Sequence, residues 1–299
     1  FLQILCNASE FDNVAVSAET EDFLRPLLRR IPIAVDERLY NLQSKKVNVL
    51  LQSQFSRLQV SPEHKAEQND TVRKAIRLLH AMVDIVSSSG WLQPALEAME
   101  FCQLLTQGLW TKDSWLMQLP HFTKELAAKC AGQEITGVFD VLDLDDAERE
   151  DLLGMDKKQL ADVVDYAEAF PDIELNYEIS AKEANCEEPV QIQVLLERKS
   201  TGNPHQVRSQ AFPGQKSEVW WLCVGDTETN ELLAIKRVNL LQKTKSLLEF
   251  SAPSVPGKHT LTLYFMCDSY LGADQEYTFD LATSSAAGPG PSSGDAMEE

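Results

Sequence analysis

The sequence has no stretch of apolar residues long enough to cross a lipid bilayer. A membrane-spanning helix needs about 20 consecutive, mostly apolar residues, and no run in the 299 residues approaches that length. The segment Phe1–Cys6 begins inside a helical pattern without an initiating Met, and it is too short and lacks the basic flank of a signal peptide. We therefore expect no contact with a membrane, and we interpret the chain as a fragment of a longer protein.

Closely spaced metal ligands are also missing. Structural zinc sites use Cys or His in short-spaced pairs, and secreted frameworks need many Cys in a small domain. The five His show no metal-binding spacing, and no two of the six Cys are near neighbours: Cys6, Cys102, Cys130, Cys186, Cys223 and Cys267. We expect buried, reduced thiols in an intracellular protein, with no metal site.

Catalytic motifs are absent as well. A phosphate-binding loop needs closely spaced glycines that end in Gly-Lys-Ser/Thr; Gly132 and Gly137 have the glycine spacing, but Val138 stands where the lysine belongs. The sequence has no Asp-Glu-x-His or Asp-Glu-x-Asp stretch for magnesium binding, and residues 1–282 have no Gly-x-Ser-x-Gly nucleophile motif. His121 is expected to have a structural role at the start of a helix. We predict no catalytic residue and no cofactor, and an independent enzyme would require a pocket of convergent titratable groups.

Positive charge is in short supply. The formal net charge is −19, and residues 118–171 contribute −8 of it, whereas residues 1–117 are nearly balanced at −2. Affinity for nucleic acid depends largely on cations that neutralise phosphates. The charge distribution therefore argues against RNA binding by residues 118–299 and leaves residues 1–117 undecided.

Helical periodicity dominates residues 1–117. The dipeptide Ser61-Pro62 provides a helix N-cap followed by proline at the first helical position. Apolar residues then recur at helical spacing between Asp70 and Val86. Several consecutive helices with short breaks predict a helical bundle.

Shorter helices are predicted in residues 118–171. Two pairs, Asp145 with Glu148 and Asp156 with Gln159, have the spacing of a reciprocal capping box. This segment is predicted to form a small helix–loop–helix domain.

The period changes to that of strands after Pro171. From Ile173 to Ile179 apolar and polar residues alternate, and six further strand patterns follow by residue 282. Seven short strands in about 110 residues predict an immunoglobulin-like β-sandwich over residues 172–282. Residues 283–299 are rich in Ser, Gly, Ala and Pro and are predicted to be a disordered tail. The predicted fold class is multidomain, with helices first and strands second.

One helix carries a candidate functional stripe. Arg73, Arg77, His80 and Asp84 stand at positions i, i+4, i+7 and i+11, opposite the apolar face. Cations at one-turn intervals can follow a nucleic-acid backbone. The alternative is the ordinary solvated face of an amphipathic helix.

Two adjacent tryptophans form a second candidate. Because successive side chains of a strand point to opposite faces, Trp220 and Trp221 cannot both fill the same core. The outward indole is either covered by another part of the chain or available as an anchor for a partner protein, since Trp is enriched at interface hot spots.

Several longer segments match a known family in the same order along the chain. Together they resemble the Sec-sixty-three homology unit that ends Ski-two-like RNA helicases, and in particular the second, C-terminal cassette of spliceosomal members. The resemblance extends to about residue 282. The segments are Leu50–Gln59, Ser89–Trp91, Leu119–Phe122, Phe139–Glu150, Phe170–Tyr177 and Asp268–Tyr277.

The resemblance implies the same three domains and a function without catalysis. In this family the upstream motor domains perform the ATP-dependent helicase work, so the parent protein would be an RNA helicase and this fragment no enzyme. Residues 70–86 resemble the family's ratchet helix beside the RNA path, with Arg77 and His80 where unwinding cassettes carry two basic residues. Imidazole is mostly neutral at pH 7. This departure fits the second cassette, which serves mainly as a protein-docking platform.

The predicted helix–loop–helix domain of this chain also departs from the family's pattern. Related units bind phosphate with a glycine-rich hairpin, which here spans Gly132–Val138 within the acidic segment. This hairpin is therefore expected to brace the bundle against the sandwich.

The implied role is that of a scaffold and protein-interaction platform in pre-mRNA splicing, located in the nucleus. Its expected partners are spliceosomal proteins and the upstream helicase domains of its own chain, with weak or indirect RNA contact. The alternative is a nucleic-acid-contacting accessory domain of an active helicase, such as the relative in the ASC-one complex.

Overall fold

Helices precede strands along the chain. The computed structural model describes residues 1–285, and within them nine α-helices come before eight strands. This order confirms the predicted change from helical to strand sequence. The helices are α1 (Leu2–Cys6), α2 (Thr20–Leu28), α3 (Leu42–Phe55), α4 (Pro62–Ser88), α5 (Leu92–Gln107), α6 (Lys124–Ala131), α7 (Val138–Asp143), α8 (Asp146–Leu153) and α9 (Lys157–Ala169).

Helix α4 is the longest, with 27 residues. It begins as predicted, with Ser61 at the N-cap and Pro62 at the first position, and the chain leaves it through Gly90 at a φ of 71°. Its buried face, which includes Val72 and Leu79, packs against α3 and α5. None of the helices in residues 1–285 combines the length and apolar character that a bilayer crossing requires.

The acidic segment, residues 118–171, begins two of its helices with side-chain caps. Asp145 with Glu148 and Asp156 with Gln159 form reciprocal capping boxes at the starts of α8 and α9, as the spacing predicted. Each box satisfies backbone N–H groups that the first helical turn leaves without partners.

The strands form two sheets. A three-stranded sheet has the order β1-β3-β6, and a five-stranded sheet has the order β2-β8-β7-β4-β5. Their inward-facing apolar side chains, such as Ile192 and Leu263, belong to one continuous buried cluster. The strands are β1 (Ile173–Ile179), β2 (Glu183–Asn185), β3 (Pro189–Arg198), β4 (Trp220–Asp226), β5 (Glu231–Val238), β6 (Lys243–Ser251), β7 (Gly257–Cys267) and β8 (Gln275–Ser284).

The two ends of the strand region differ from the prediction. Strand β2 was not predicted, because its three residues show no apolar alternation; its parallel pairing with β8 holds it in place. Thr283 and Ser284 were assigned to the disordered tail, but both belong to β8, where β2 lies on one side and Gly257 pairs with Thr283 on the other. The predicted tail over residues 286–299 lies outside the described residues.

Candidate functional site

The loop between β7 and β8, residues 268–274, lies where the helices meet the sheets; we call it the junction loop. Gly272 has a φ of 83°, in the left-handed region that favours glycine. The ring of Trp115 lies 2.9 Å from the position that a Cβ at Gly272 would occupy. No other residue fits this position without displacing the ring.

Asp268 is the centre of the junction loop. Its side chain is fully buried, and the ammonium of Lys216 and the hydroxyl of Ser269 both donate to its carboxylate. The backbone N–H of Val219 donates to Oδ1 at 3.0 Å. His80 Nε2 lies 3.0 Å from Oδ2 and must carry the proton there, because a carboxylate only accepts.

The charge of Asp268 is maintained by these partners. Burial by itself raises the pKa of this carboxyl, but the nearby Lys216 ammonium and the hydrogen bond from His80 outweigh burial and lower the pKa to about 2. Asp268 is therefore ionised at neutral pH, and its pair with Lys216 is a buried ion pair with additional hydrogen bonds.

Helix α5 contacts the same loop through two glutamines. Gln103 Nε2 donates to the backbone oxygen of Cys267 and to Oδ2 of Asp274, both at 2.7 Å. One turn later, Gln107 Nε2 donates to the backbone oxygen of Ser269 at 2.7 Å. These side chains satisfy backbone groups that the turn between the strands leaves unpaired.

The turn over Trp115–Gln118 adds a reciprocal contact. Gln118 donates from Nε2 to the backbone oxygen of Leu271 at 2.8 Å and accepts from the Leu271 N–H at 3.3 Å. The junction loop is thus bonded to α4, α5, this turn and the segment that precedes β4.

The pKa of Asp274 is raised, whereas the pKa of Asp268 is lowered. Burial raises its pKa to about 7, although the N–H donors of Gln103 and Cys267 oppose this shift; the nearby Glu100 and Glu276 carboxylates raise the pKa further. No cation accompanies Asp274 among its described partners, so burial prevails.

Stability is therefore expected to decrease as the pH rises from about 4 to about 7. An unfolded chain releases the Asp proton near pH 4, whereas folded Asp274 retains it up to about pH 7. Between these values the folded state holds the extra proton, so raising the pH favours unfolding. Urea unfolding at several pH values tests this, with Asp274→Asn as the comparison. The variant should show a shallower decrease, and identical slopes would contradict the assignment.

The structure separates the members of the predicted stripe on α4. Arg73 and Arg77 are exposed, and a terminal nitrogen of Arg73 lies 3.9 Å from Asp70. His80 instead turns toward the sheets, where it bonds Asp268. Asp84 accepts from Arg237 of β5 with both oxygens at 2.8 Å. His80 and Asp84, the two C-terminal members of the stripe, thus join α4 to the sheets.

Both tryptophans of the predicted pair are buried, with 0% exposure. They do point to opposite faces of β4, as alternation requires. Trp220 stacks on Phe265 at 4.5 Å in the core shared by the sheets, whereas Trp221 belongs to a cluster with residues of α4 and α5 such as Val83 and Met99. The prediction of an exposed tryptophan anchor is wrong, because the helices cover the outward indole.

Several residues of the junction were not identified from the sequence: Lys216, Gln103, Gln107, Gln118 and Asp274. Lys216 stands in an irregular loop and carried no local signal. A signal did exist on α5, where Gln103 and Gln107 are polar residues among mainly apolar neighbours, and both are buried.

The described part of the chain has no candidate metal site. No group of three or more His, Cys, Asp or Glu side chains in residues 1–285 is arranged to hold a metal ion. The six cysteines are free thiols, and burial raises the pKa of Cys6 to about 12.

Sequence comparison places the chain among helicase relatives. The chain is 46% identical to the DExH-box ATP-dependent RNA helicase DExH12 of Arabidopsis thaliana over 304 aligned residues, covering 100% of this chain and 14% of the relative. It is 42% identical to the human U5 small nuclear ribonucleoprotein 200 kDa helicase, covering 94% of this chain and 13% of the relative. The Dictyostelium discoideum activating signal cointegrator 1 complex subunit 3-like protein is 37% identical over 92% of this chain and 13% of its own length. The chain therefore corresponds to a small part of each relative.

A family model describes almost the whole chain. The Sec63 Brl domain matches residues 1–280, a range that contains the junction loop, α4 and nearly all of both sheets. The resemblance inferred from the ordered sequence segments is confirmed, and the chain belongs to the Sec63 Brl domain family.

Proposed function

We propose that this chain is the non-catalytic C-terminal unit of a spliceosomal RNA helicase and acts as a scaffold and protein-interaction platform in pre-mRNA splicing. The main support is its 42–44% identity, over 94% of its length, to human and Drosophila U5 small nuclear ribonucleoprotein 200 kDa helicases. In this proposal a helical bundle, a helix–loop–helix domain and an immunoglobulin-like sandwich form one unit. It works in the nucleus, beside spliceosomal proteins and the motor domains of its own parent chain.

The junction supports a docking role physically. The bond between His80 of α4 and Asp268, together with those from the glutamines of α5, connects the helices to the sheets. Surfaces built from both regions therefore keep a fixed geometry. A preorganised surface loses less conformational entropy on binding, which favours its use as a platform.

Nucleic-acid contact is the second candidate, and the exposed pair on α4 favours it. Arg73 and Arg77 lie one turn apart on the solvent side of α4. His80 cannot extend this pair, since its ring is engaged by Asp268. Asp70 weakens the local positive potential, because it lies 2.9 Å from Lys74 and 3.9 Å from Arg73. Two exposed cations supply few phosphate contacts, so we expect weak RNA binding.

A pull-down from nuclear extract distinguishes the two roles. The tagged chain is expected to recover U5 small nuclear ribonucleoprotein proteins both before and after RNase treatment. The Arg73→Glu, Arg77→Glu double variant should recover them equally well. In a filter-binding titration at about 150 mM salt, the isolated chain should bind single-stranded RNA only weakly, and the double variant should bind even less.

The matched control reverses two other exposed arginines, Arg29→Glu and Arg30→Glu, which lie at the end of α2. If RNase or the α4 double variant removes the U5 proteins while this control retains them, the accessory RNA-contacting role is correct instead. Nanomolar RNA affinity that depends on Arg73 and Arg77 would lead to the same conclusion.

A further inference from the structure

One side of β8 has no neighbouring strand over most of its length. Strand β8 pairs with β7 from Gln275 to Thr283, but on its other side β2 covers only Ala282–Ser284. Within residues 1–285, no other strand lies beside this side of the five-stranded sheet. We call the uncovered side of residues 276–280 the open edge.

The backbone groups of the open edge point away from β7. The N–H of Ala282 donates to the backbone oxygen of Lys182 at 3.0 Å, so residue 282 directs its backbone polar groups toward the β2 side. Alternate residues of a strand direct these groups to the same side. Thr278 and Asp280 therefore present their N–H and C=O groups to the open edge, where a further strand can bond them.

A cleft of about 620 Å³ runs beside the open edge, between β8 and β1. Its apolar wall consists of Tyr177, Ile179 and Phe279, and the rings of Tyr177 and Phe279 lie 6.4 Å apart. One end of the gap is closed by Gln275, whose side chain donates to the backbone oxygen of Ile173 at 2.7 Å. The cleft can receive apolar side chains of a strand that lies along β8.

The surroundings of the cleft are acidic. Glu178, Glu183 and Glu276 are exposed on the strands that frame it, and none has an ion pair among the described residues. Asp280 is matched by Lys258 at 2.9 Å, and Lys182 is the cation in the cleft lining. The excess of carboxylates favours a positively charged ligand.

We propose that the open edge binds an extended segment of a partner protein in which apolar residues alternate with Lys or Arg. The segment adds to the sheet as a strand beside β8: its backbone bonds Thr278 and Asp280, its apolar side chains enter the cleft, and its cations face the carboxylates. The inference rests on the proposed docking role and gives that role a location. The C-terminal residues 286–299 fit poorly, since they contain three acids and no Lys or Arg.

A synthetic peptide tests the proposal directly. The probe is a fluorescein-labelled hexapeptide, Lys-Val-Lys-Ile-Lys-Val, titrated by fluorescence anisotropy with the 299-residue chain at about 150 mM salt. Thr278→Pro removes the N–H that faces the open edge without removing a bond to β7, and proline is tolerated on strand edges. It should weaken binding by about tenfold or more, whereas Thr278→Val, which keeps the N–H, should bind as the native chain does.

Two further measurements separate strand addition from charge attraction. The same peptide methylated at every backbone nitrogen keeps its charges but has no backbone N–H to donate to β8, and it should not bind. Ile179→Trp fills the cleft and leaves the edge intact, so it should also weaken binding; this variant replaces Thr278→Pro if the proline variant does not fold. Equal binding of the methylated peptide, or native affinity in both variants, overturns the proposal.

The remaining outcomes concern the occupant and the function. If deletion of residues 286–299 raises peptide affinity about tenfold, the chain's own C-terminal segment occupies the edge and a partner strand is ruled out. Absence of any peptide binding, with U5 proteins still recovered from extract, overturns this inference alone. Peptide binding that depends on Thr278, with no U5 protein recovered, retains the edge site and overturns the proposed function.

Discussion

Replacing Trp221 with alanine is expected to lower the free energy of unfolding by about 3–5 kcal/mol. The indole is completely buried between β4 and the helices α4 and α5. The ring of His80 meets it edge-on at 5.5 Å, so the cavity would open beside the junction. Removing the indole leaves a large void, and well-packed surroundings relax only partly to fill it. Thermal and urea unfolding followed by circular dichroism measure the loss.

Two variants serve as controls for this prediction. The indole N–H of Trp221 has no acceptor among the described residues, so Trp221→Phe removes volume without breaking a hydrogen bond and should cost clearly less. Trp91 is 55% exposed, and Trp91→Ala should change stability only slightly. Native stability for Trp221→Ala would mean that the helices do not cover this face in solution.

Replacing Asp268 with alanine is expected to destabilise the protein by about 3–5 kcal/mol, because it leaves a buried cation without its partner. The ammonium of Lys216 would keep only the hydroxyl of Ser269 and the backbone oxygen of Ser217 as acceptors. His80 would lose its acceptor as well. Both charges are nearly inaccessible to solvent, so water cannot replace the lost interaction.

A double-mutant cycle isolates the ion pair. Lys216→Met combined with Asp268→Leu should cost less than the sum of the two single changes, since no charge remains unpaired. The exposed acid Asp280, paired with Lys258, provides the control: Asp280→Asn should have an effect within about 0.5 kcal/mol. Additive losses in the cycle would contradict a coupled pair.

Acid unfolding gives a second measurement of the same group. The pKa of Asp268 is lowered in the folded state. Its stabilisation of the fold is therefore complete above the pKa of an Asp in the unfolded chain, near pH 4, and is lost as the pH falls toward 2. This window lies below the one expected for Asp274. Asp268→Ala should therefore change the pH dependence of stability below about pH 4, whereas Asp274→Asn should change it between about pH 4 and pH 7.

Local sequence signals predicted local structure well. The start of α4 at Ser61 and Pro62, and the alternation of β1, depend on neighbouring residues and could be predicted from the sequence. The partner of His80 could not, because Asp268 is 188 residues away along the chain. Strand β2 has no apolar period and exists only because β8 is beside it.

The tryptophan pair shows the same limit at the candidate site. Alternation correctly separated Trp220 from Trp221, but it could not predict that α4 and α5 would cover the outward face. The segment from Asp268 to Tyr277 was distinctive in sequence, yet its role became clear only from contacts with α4, α5 and the loop before β4. Such contacts join distant parts of the chain and leave no periodic pattern.

The length of α4 has a mechanical consequence. A 27-residue helix is about 40 Å long, and its C-terminal half is fastened to the sheets through His80 and Asp84. A force on its N-terminal half would therefore be transmitted to the sheets through these two contacts.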